Sequence, residues 1–274
     1  MTDAPVLLAV AHGTVHRPGL AQLDALMELV RGLAPELRCE LAYVDHEPPS
    51  VSTALAALAA ESVAVAVVPL LLTAAVHSKT DIPGSVQSAR AAHPGFEVSY
   101  GRPLGPDPLL LAALTERIAE TGADPGTAVV VAAAGSADPD ANAEIWRVAR
   151  LLWEYRGGGP PVEVAYAGAT TPTVADALDR LRRLGYPDVV VAPYFLASGR
   201  LPDSVVEAAQ EGGARAASVL GAHEAVARLL LARYAEACGA RVLMNCDVCI
   251  YRTAWPGREE RAGAPQEPHA HPDD

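Results

Sequence analysis

The chain has 274 residues, half of them apolar, few aromatic, with a formal net charge of −12 at pH 7. That length supports one large or two modest α/β domains, each able to bury a core. The charge argues against nucleic acid and anionic membrane as partners, because both need a basic surface, and any acidic ligand needs a local cationic patch.

Taken from the start, PVLLAVA (5–11) reads as a buried strand with no basic leader ahead of it. After Pro18 and Gly19, the residues Leu20, Leu23, Met27, Val30 and Leu33 recur at helical spacing. CELAYV (39–44) predicts a second strand, and Pro49 and Ser50 open a helix with Val51, Leu55 and Leu58 on one face. VAVAVVPLLL (63–72) predicts the third strand and GFEVSYG (95–101) the fourth, followed by a helix over 107–120. Pro69 and His77 interrupt the most apolar stretch, so none is long enough to span a bilayer. A cytoplasmic location is expected, in keeping with four cysteines that form no disulfide-scaffold pattern.

TGADPG (121–126) breaks the pattern, and past it the pattern restarts. TAVVVAAAGSADPDA (127–141) echoes PVLLAVAHGTVHRPG (5–19), VAYAGATTPTVADAL (164–178) echoes LAYVDHEPPSVSTAL (41–55), and VVVAPYFLASG (189–199) echoes VAVVPLLLTAA (65–75). The chain therefore reads as two copies of one domain, 1–122 and 123–252, with a polar, Pro- and Gly-rich tail over 253–274 expected to be disordered. Alternating strands and helices predict two similar flavodoxin-like α/β domains, each a mostly parallel sheet with helices on both faces. The copies differ where chemistry would sit. His12 faces Ala134 in the alignment, His77 has only Arg200 or Leu201 opposite it, and Asp45 and His46 stand against Gly168 and Ala169.

In an open parallel sheet, ligands bind beyond the carboxyl ends of the strands. With strand order 2-1-3, His12, Asp45 and His77 follow neighbouring strands, and two imidazoles with a carboxylate suit a divalent transition metal. Glu47 competes with Asp45 for any such role, and an acidic residue there also suits a turn. The small residues Gly13 and Ala74 leave room for a flat ligand. His16 is read as a loop residue, and His93 and His223 as structural or solvent-exposed.

VAHGT (10–14), PLLLTAAVHSKTDIP (69–83) and VVVAPYFLASGRLPDSV (189–205) resemble the sirohydrochlorin chelatase family, the CbiX/SirB group, in its long form of two fused copies with a class II chelatase-like fold. The resemblance covers the chain to about residue 252. It implies a lyase that inserts Fe²⁺, for sirohaem, or Co²⁺, on the route to cobalamin, into the acidic tetrapyrrole sirohydrochlorin; Ni²⁺ is a further candidate. It implies His12 and His77 as the metal-handling and proton-accepting pair, with Asp45 shorter than the glutamate often found at that strand end. Gly13, Thr14, Ala74, Lys79, Arg17, Arg102 and Arg200 are the candidate substrate contacts, the four cations facing peripheral carboxylates. Two other readings stay open: a metal carrier or sensor without chelatase activity, and a ferrochelatase acting on another porphyrin.

Near the end, MNCDVC places Cys246 and Cys249 within reach of one metal. Similar motifs in long members of the family imply an iron–sulfur cluster, but a cubane wants four cysteines and only Cys39 and Cys238 remain. A homodimer sharing one cluster, a zinc site and no metal all remain open, as does monomer against homodimer. HAH (269–271) is open to two readings, a solvated tail, which is the expected one, and a weak collector of metal ions.

Overall fold

The structure, a computed structural model, describes residues 4–168 and 170–239. Cys246, Cys249, the HAH triplet and the tail lie outside the described residues. The strands β1 (Val6–Ala11), β2 (Cys39–Tyr43), β3 (Val65–Pro69) and β4 (Val98–Tyr100) form a parallel sheet in the order β2-β1-β3-β4. β5 (Ala128–Ala133), β6 (Val162–Tyr166), β7 (Val189–Pro193) and β8 (Arg215–Ala216) repeat it as β6-β5-β7-β8. The connecting helices are α1 (Arg17–Leu33), α2 (Val51–Ala60), α3 (Ile82–Ala92), α4 (Pro108–Ala119), α5 (Pro139–Tyr155), α6 (Val174–Arg183), α7 (Arg200–Glu211) and α8 (Glu224–Cys238).

The near-continuous apolar runs of the strands follow from burial on both faces. In β1, Leu7, Ala9 and Ala11 join one core, and Val6, Leu8 and Val10 join another with α2 and α3. The first of these cores is shared. It gathers α1, α4, α5 and α8 between the two sheets, while α6 and α7 cover the outer face of the second sheet. The result is five layers, helix–sheet–helix–sheet–helix.

Within the middle layer the last helix of each copy crosses over. α8 lies against β3, β4 and α1 of the first sheet, and α4 lies against α5 and β7 of the second. The Tyr234 hydroxyl of α8 donates to the Pro5 carbonyl (2.7 Å), and Arg117 of α4 donates to the Leu220 carbonyl (3.0 Å). Arg233, 2 % exposed, donates to the Pro103 and Leu104 carbonyls and pairs with Asp107 (2.9 Å) and Glu236 (2.9 Å). Asp107 also caps α4, so one buried guanidinium ties the two exchanged helices together.

Two expected boundaries shift in ways the chain explains. α1 begins at Arg17, ahead of Pro18 and Gly19, because a proline in the first helical turn forfeits an N–H that has no partner there anyway. Gly19 is tolerated inside the helix because the Ser198 carbonyl presses on it where a Cβ would be. β3 stops at Pro69 and not at 72, since its partner β1 ends at Ala11 and the ladder has no further edge to pair with.

Candidate active site

All strands being parallel, β1, β2 and β3 end at one edge, and the chain after each delivers a histidine there. His12 follows β1 directly. Its ring meets that of His77 edge to face, with centroids 4.7 Å apart and planes at 83°. His46, three residues past the end of β2, stands 6.1 Å from His12.

His77 follows β3 at a distance of eight residues, opening a π-helical turn (His77–Asp81) that runs into α3. The sequence explains the wide turn. Pro83 has no N–H to return to the preceding turn, and the Ser78 carbonyl instead accepts the Tyr100 hydroxyl (2.7 Å), while Ile82 N–H reaches back to the His77 carbonyl. Burial pushes the Tyr100 hydroxyl pKa well up, so it stays a donor. The Ser78 hydroxyl, buried, bonds Ala75 at both its carbonyl (3.0 Å) and its N–H (3.1 Å), which fixes the start of the turn. π-turns of this kind concentrate at functional sites.

The turn also brings Asp81 onto His77, Oδ2 to Nδ1 at 2.6 Å. That partner assigns the proton to Nδ1 and leaves the Nε2 lone pair open. His12 Nδ1 lies 3.2 Å from the Gly13 carbonyl, an arrangement that again leaves Nε2 available. Gly13 holds φ +95°, and a Cβ there would collide with the Asp45 carbonyl oxygen. Gly13→Ala is expected to destabilise the protein by about 1–3 kcal/mol, read by urea denaturation; an unchanged midpoint would show the loop to be more yielding than its packing implies.

Asp45 does not complete a set with the two imidazoles. Its backbone N–H continues the ladder to the His12 carbonyl (2.9 Å), but Oδ1 accepts the His46 N–H (2.8 Å) and Oδ2 lies 3.5 Å from His46 Nε2. Glu47 is half-buried beside it, with its N–H on the Asp45 carbonyl. Among the described residues no three His, Cys, Asp or Glu side chains stand close enough to hold an ion. Sequence reasoning assigned His46 no role. The signal available was its absence from the second copy.

The carboxyl edges of both sheets face the same crevice, and matching struts close it on either side. Gln22 is the sixth residue of α1 and accepts the Ser198 N–H (2.6 Å); Glu144 is the sixth of α5 and accepts the Ala74 N–H (2.8 Å). Lys79 pairs with Asp138 (2.7 Å) and Asp140 (2.9 Å), and at the corresponding place His16 faces Asp203 (4.0 Å) and Ser198 Oγ (3.4 Å). His16 is thus the N-terminal cap position of α1 at the crevice wall. Thr14 Oγ1 accepts the His16 N–H (3.1 Å), which shapes that wall.

These contacts redistribute the expected cations. Burial alone would lower the Lys79 pKa, but its hydrogen bonds to Asp138 and Asp140 raise it, and the side chain joins the halves instead of standing open to a substrate carboxylate. Arg102 is a fork on Glu236 (2.8 and 3.0 Å), whose carboxyl it holds below the usual range. Arg17 and Arg200 open α1 and α7, are exposed, and have no ion pair among the described residues. His223 caps α8 and lies 3.0 Å from Glu116, and His93 ends α3, both structural. Cys39 is buried with its thiol on the Leu37 carbonyl (3.4 Å); Cys238 is exposed.

Three comparisons with known proteins agree. The profile of the CbiX family matches residues 6–121 and 128–237, one stretch per copy. A sirohydrochlorin cobaltochelatase of Priestia megaterium is 33% identical over 226 residues, 78% of this chain and 74% of the relative. A sirohydrochlorin ferrochelatase of the same organism is 30% identical over 232 residues, 82% and 87% respectively. SirB from Bacillus subtilis, solved with Fe³⁺, superposes with a TM-score of 0.76 at 26% identity, covering 85% of this chain and 95% of that one. Among the described residues no helix is long and apolar enough to cross a membrane.

Proposed function

The chain belongs to the CbiX family, and from that premise we propose that it is a sirohydrochlorin chelatase whose His12–His77 pair seats a divalent metal in the macrocycle with release of two pyrrole protons. One observation carries the assignment of roles: two imidazoles in contact at 4.7 Å, one of them braced by a carboxylate on its Nδ1.

Insertion needs the ion to exchange water for ring nitrogens while the pyrrole N–H groups lose their protons. A neutral imidazole serves either need near neutral pH. With Asp81 on its Nδ1, the His77 ring is oriented so that Nε2 is the nitrogen offered to a pyrrole proton. His12 Nε2, at the sheet edge, is placed to hold the ion. Two ligands bind weakly enough to let the metal leave, as a closed four-ligand cage would not. The net charge of −12 favours approach of a dication and opposes the acidic tetrapyrrole. Arg17 and Arg200, on facing walls, are the cations available to meet peripheral carboxylates.

The test is anaerobic incubation of the protein with sirohydrochlorin and Fe²⁺, Co²⁺ or Ni²⁺, following the absorption change against a control without protein. Acceleration is expected; a rate equal to the control with every ion would leave a carrier or sensor. Protoporphyrin in parallel is expected to turn over far more slowly. Asp81→Asn is expected to reduce activity about tenfold or more, since carboxylates behind an active imidazole commonly contribute that much. Full activity in that variant would remove Asp81 from the mechanism.

A further inference from the structure

We propose that His46 is a third metal-binding imidazole, receiving a divalent ion jointly with His12 before the ion passes to the His12–His77 pair. The proposal rests on the chelatase reading for its purpose, but not for its geometry.

His12 lies between two imidazoles, His77 at 4.7 Å and His46 at 6.1 Å. Two imidazoles sharing one ion have centroids roughly 4.5 to 6.5 Å apart when metal–nitrogen bonds are about 2.1 Å. Both neighbours have a carboxylate near the ring, at different distances. Asp81 sits on Nδ1 of His77, and Asp45 Oδ2 sits 3.5 Å from Nε2 of His46. The Asp81 bond fixes one ring nitrogen of His77 and frees the other, while Asp45 is near the His46 ring without a hydrogen bond to it. Asp45 thereby acts as a positioning residue for His46 through the backbone N–H it accepts.

The backbone supports the same reading. His46 adopts φ +69°, in the left-handed region that non-glycine residues rarely occupy. Asp45 holds it there by accepting the His46 N–H at 2.8 Å, and the Glu47 N–H returns to the Asp45 carbonyl at 2.9 Å. Such conformations persist where surrounding contacts enforce them, and they cluster at functional sites. The His46 side chain is 46% exposed against 38% for His77, so both are open to an ion arriving from water.

The test is Co²⁺ binding to the full chain without tetrapyrrole, by calorimetry and by the visible absorption of the bound ion. His46→Asn is the informative variant because asparagine accepts the left-handed backbone; His46→Gly is a second variant that meets the same requirement. Each is expected to bind Co²⁺ about tenfold more weakly, with one fewer coordinated imidazole by pulsed electron paramagnetic resonance. Asp45→Asn is expected to weaken binding in the same direction by a smaller factor. Unchanged affinity and imidazole count in both His46 variants would overturn the proposal. Because binding is read without sirohydrochlorin, a chain that binds through His46 yet inserts no metal would overturn the chelatase reading alone.

Discussion

Replacing either His12 or His77 with alanine is expected to lower kcat/KM for metal insertion roughly 100- to 10,000-fold, the range for removing a positioned acid–base group. Stability should hardly change. His12 is exposed, with its one ring hydrogen-bond contact made to the next carbonyl, and His77 is more than a third exposed with its one ring bond made to an exposed carboxylate. Substitutions at such sites usually stay within about 0.5 kcal/mol. The two variants should differ in character. If His12 holds the ion, His12→Ala raises the metal KM; if His77 takes the proton, His77→Ala lowers kcat across the pH range in which the imidazole would be neutral. Steady-state kinetics with varied metal, beside thermal melts, reads both. Near-parental kcat/KM in either variant would withdraw that residue from the mechanism.

The second large effect is structural. Arg233→Ala is expected to destabilise the protein by about 3–5 kcal/mol, the cost of leaving buried partners of an ion pair uncompensated. It strands Asp107 together with the Pro103 and Leu104 carbonyls. For a chain of this size that corresponds to a melting temperature lower by roughly 6–20 °C. Urea denaturation and thermal melts check it. A loss under about 1 kcal/mol would mean that Asp107 finds water or another donor when the guanidinium is gone. The closing residues of the crevice are not in contact with Arg233, so activity per folded molecule should persist at low temperature.

What the sequence made legible was local or repeated. Apolar runs such as VLLAVA and VVVAP encode buried strands, and a repeat keeping the strands while dropping His12 and His77 marks the chemical edge. Strand order 2-1-3 follows from the fold class and is observed in both sheets. What stayed hidden depended on distant partners. Lys79 and Arg102 look like free cations until Asp138, Asp140 and Glu236 arrive from elsewhere in the chain. The π turn hid the true placement of His77, because the apolar run before it continues past the point where the ladder ends. His46 hid behind Asp45, whose carboxylate had the more familiar ligand chemistry, and a left-handed histidine leaves no mark in composition or spacing.

The crossed helices bear on how a shorter ancestor could have existed. One copy taken alone would leave the strip of sheet over β3 and β4 uncovered, while its own last helix pointed toward a sheet it did not possess. Two such copies, each lending that helix to the other, would complete both sheets about a twofold axis, so the reciprocal exchange reads as a dimer interface retained inside one polypeptide. A single crevice between the halves would need only one set of histidines, in keeping with their absence from the second copy.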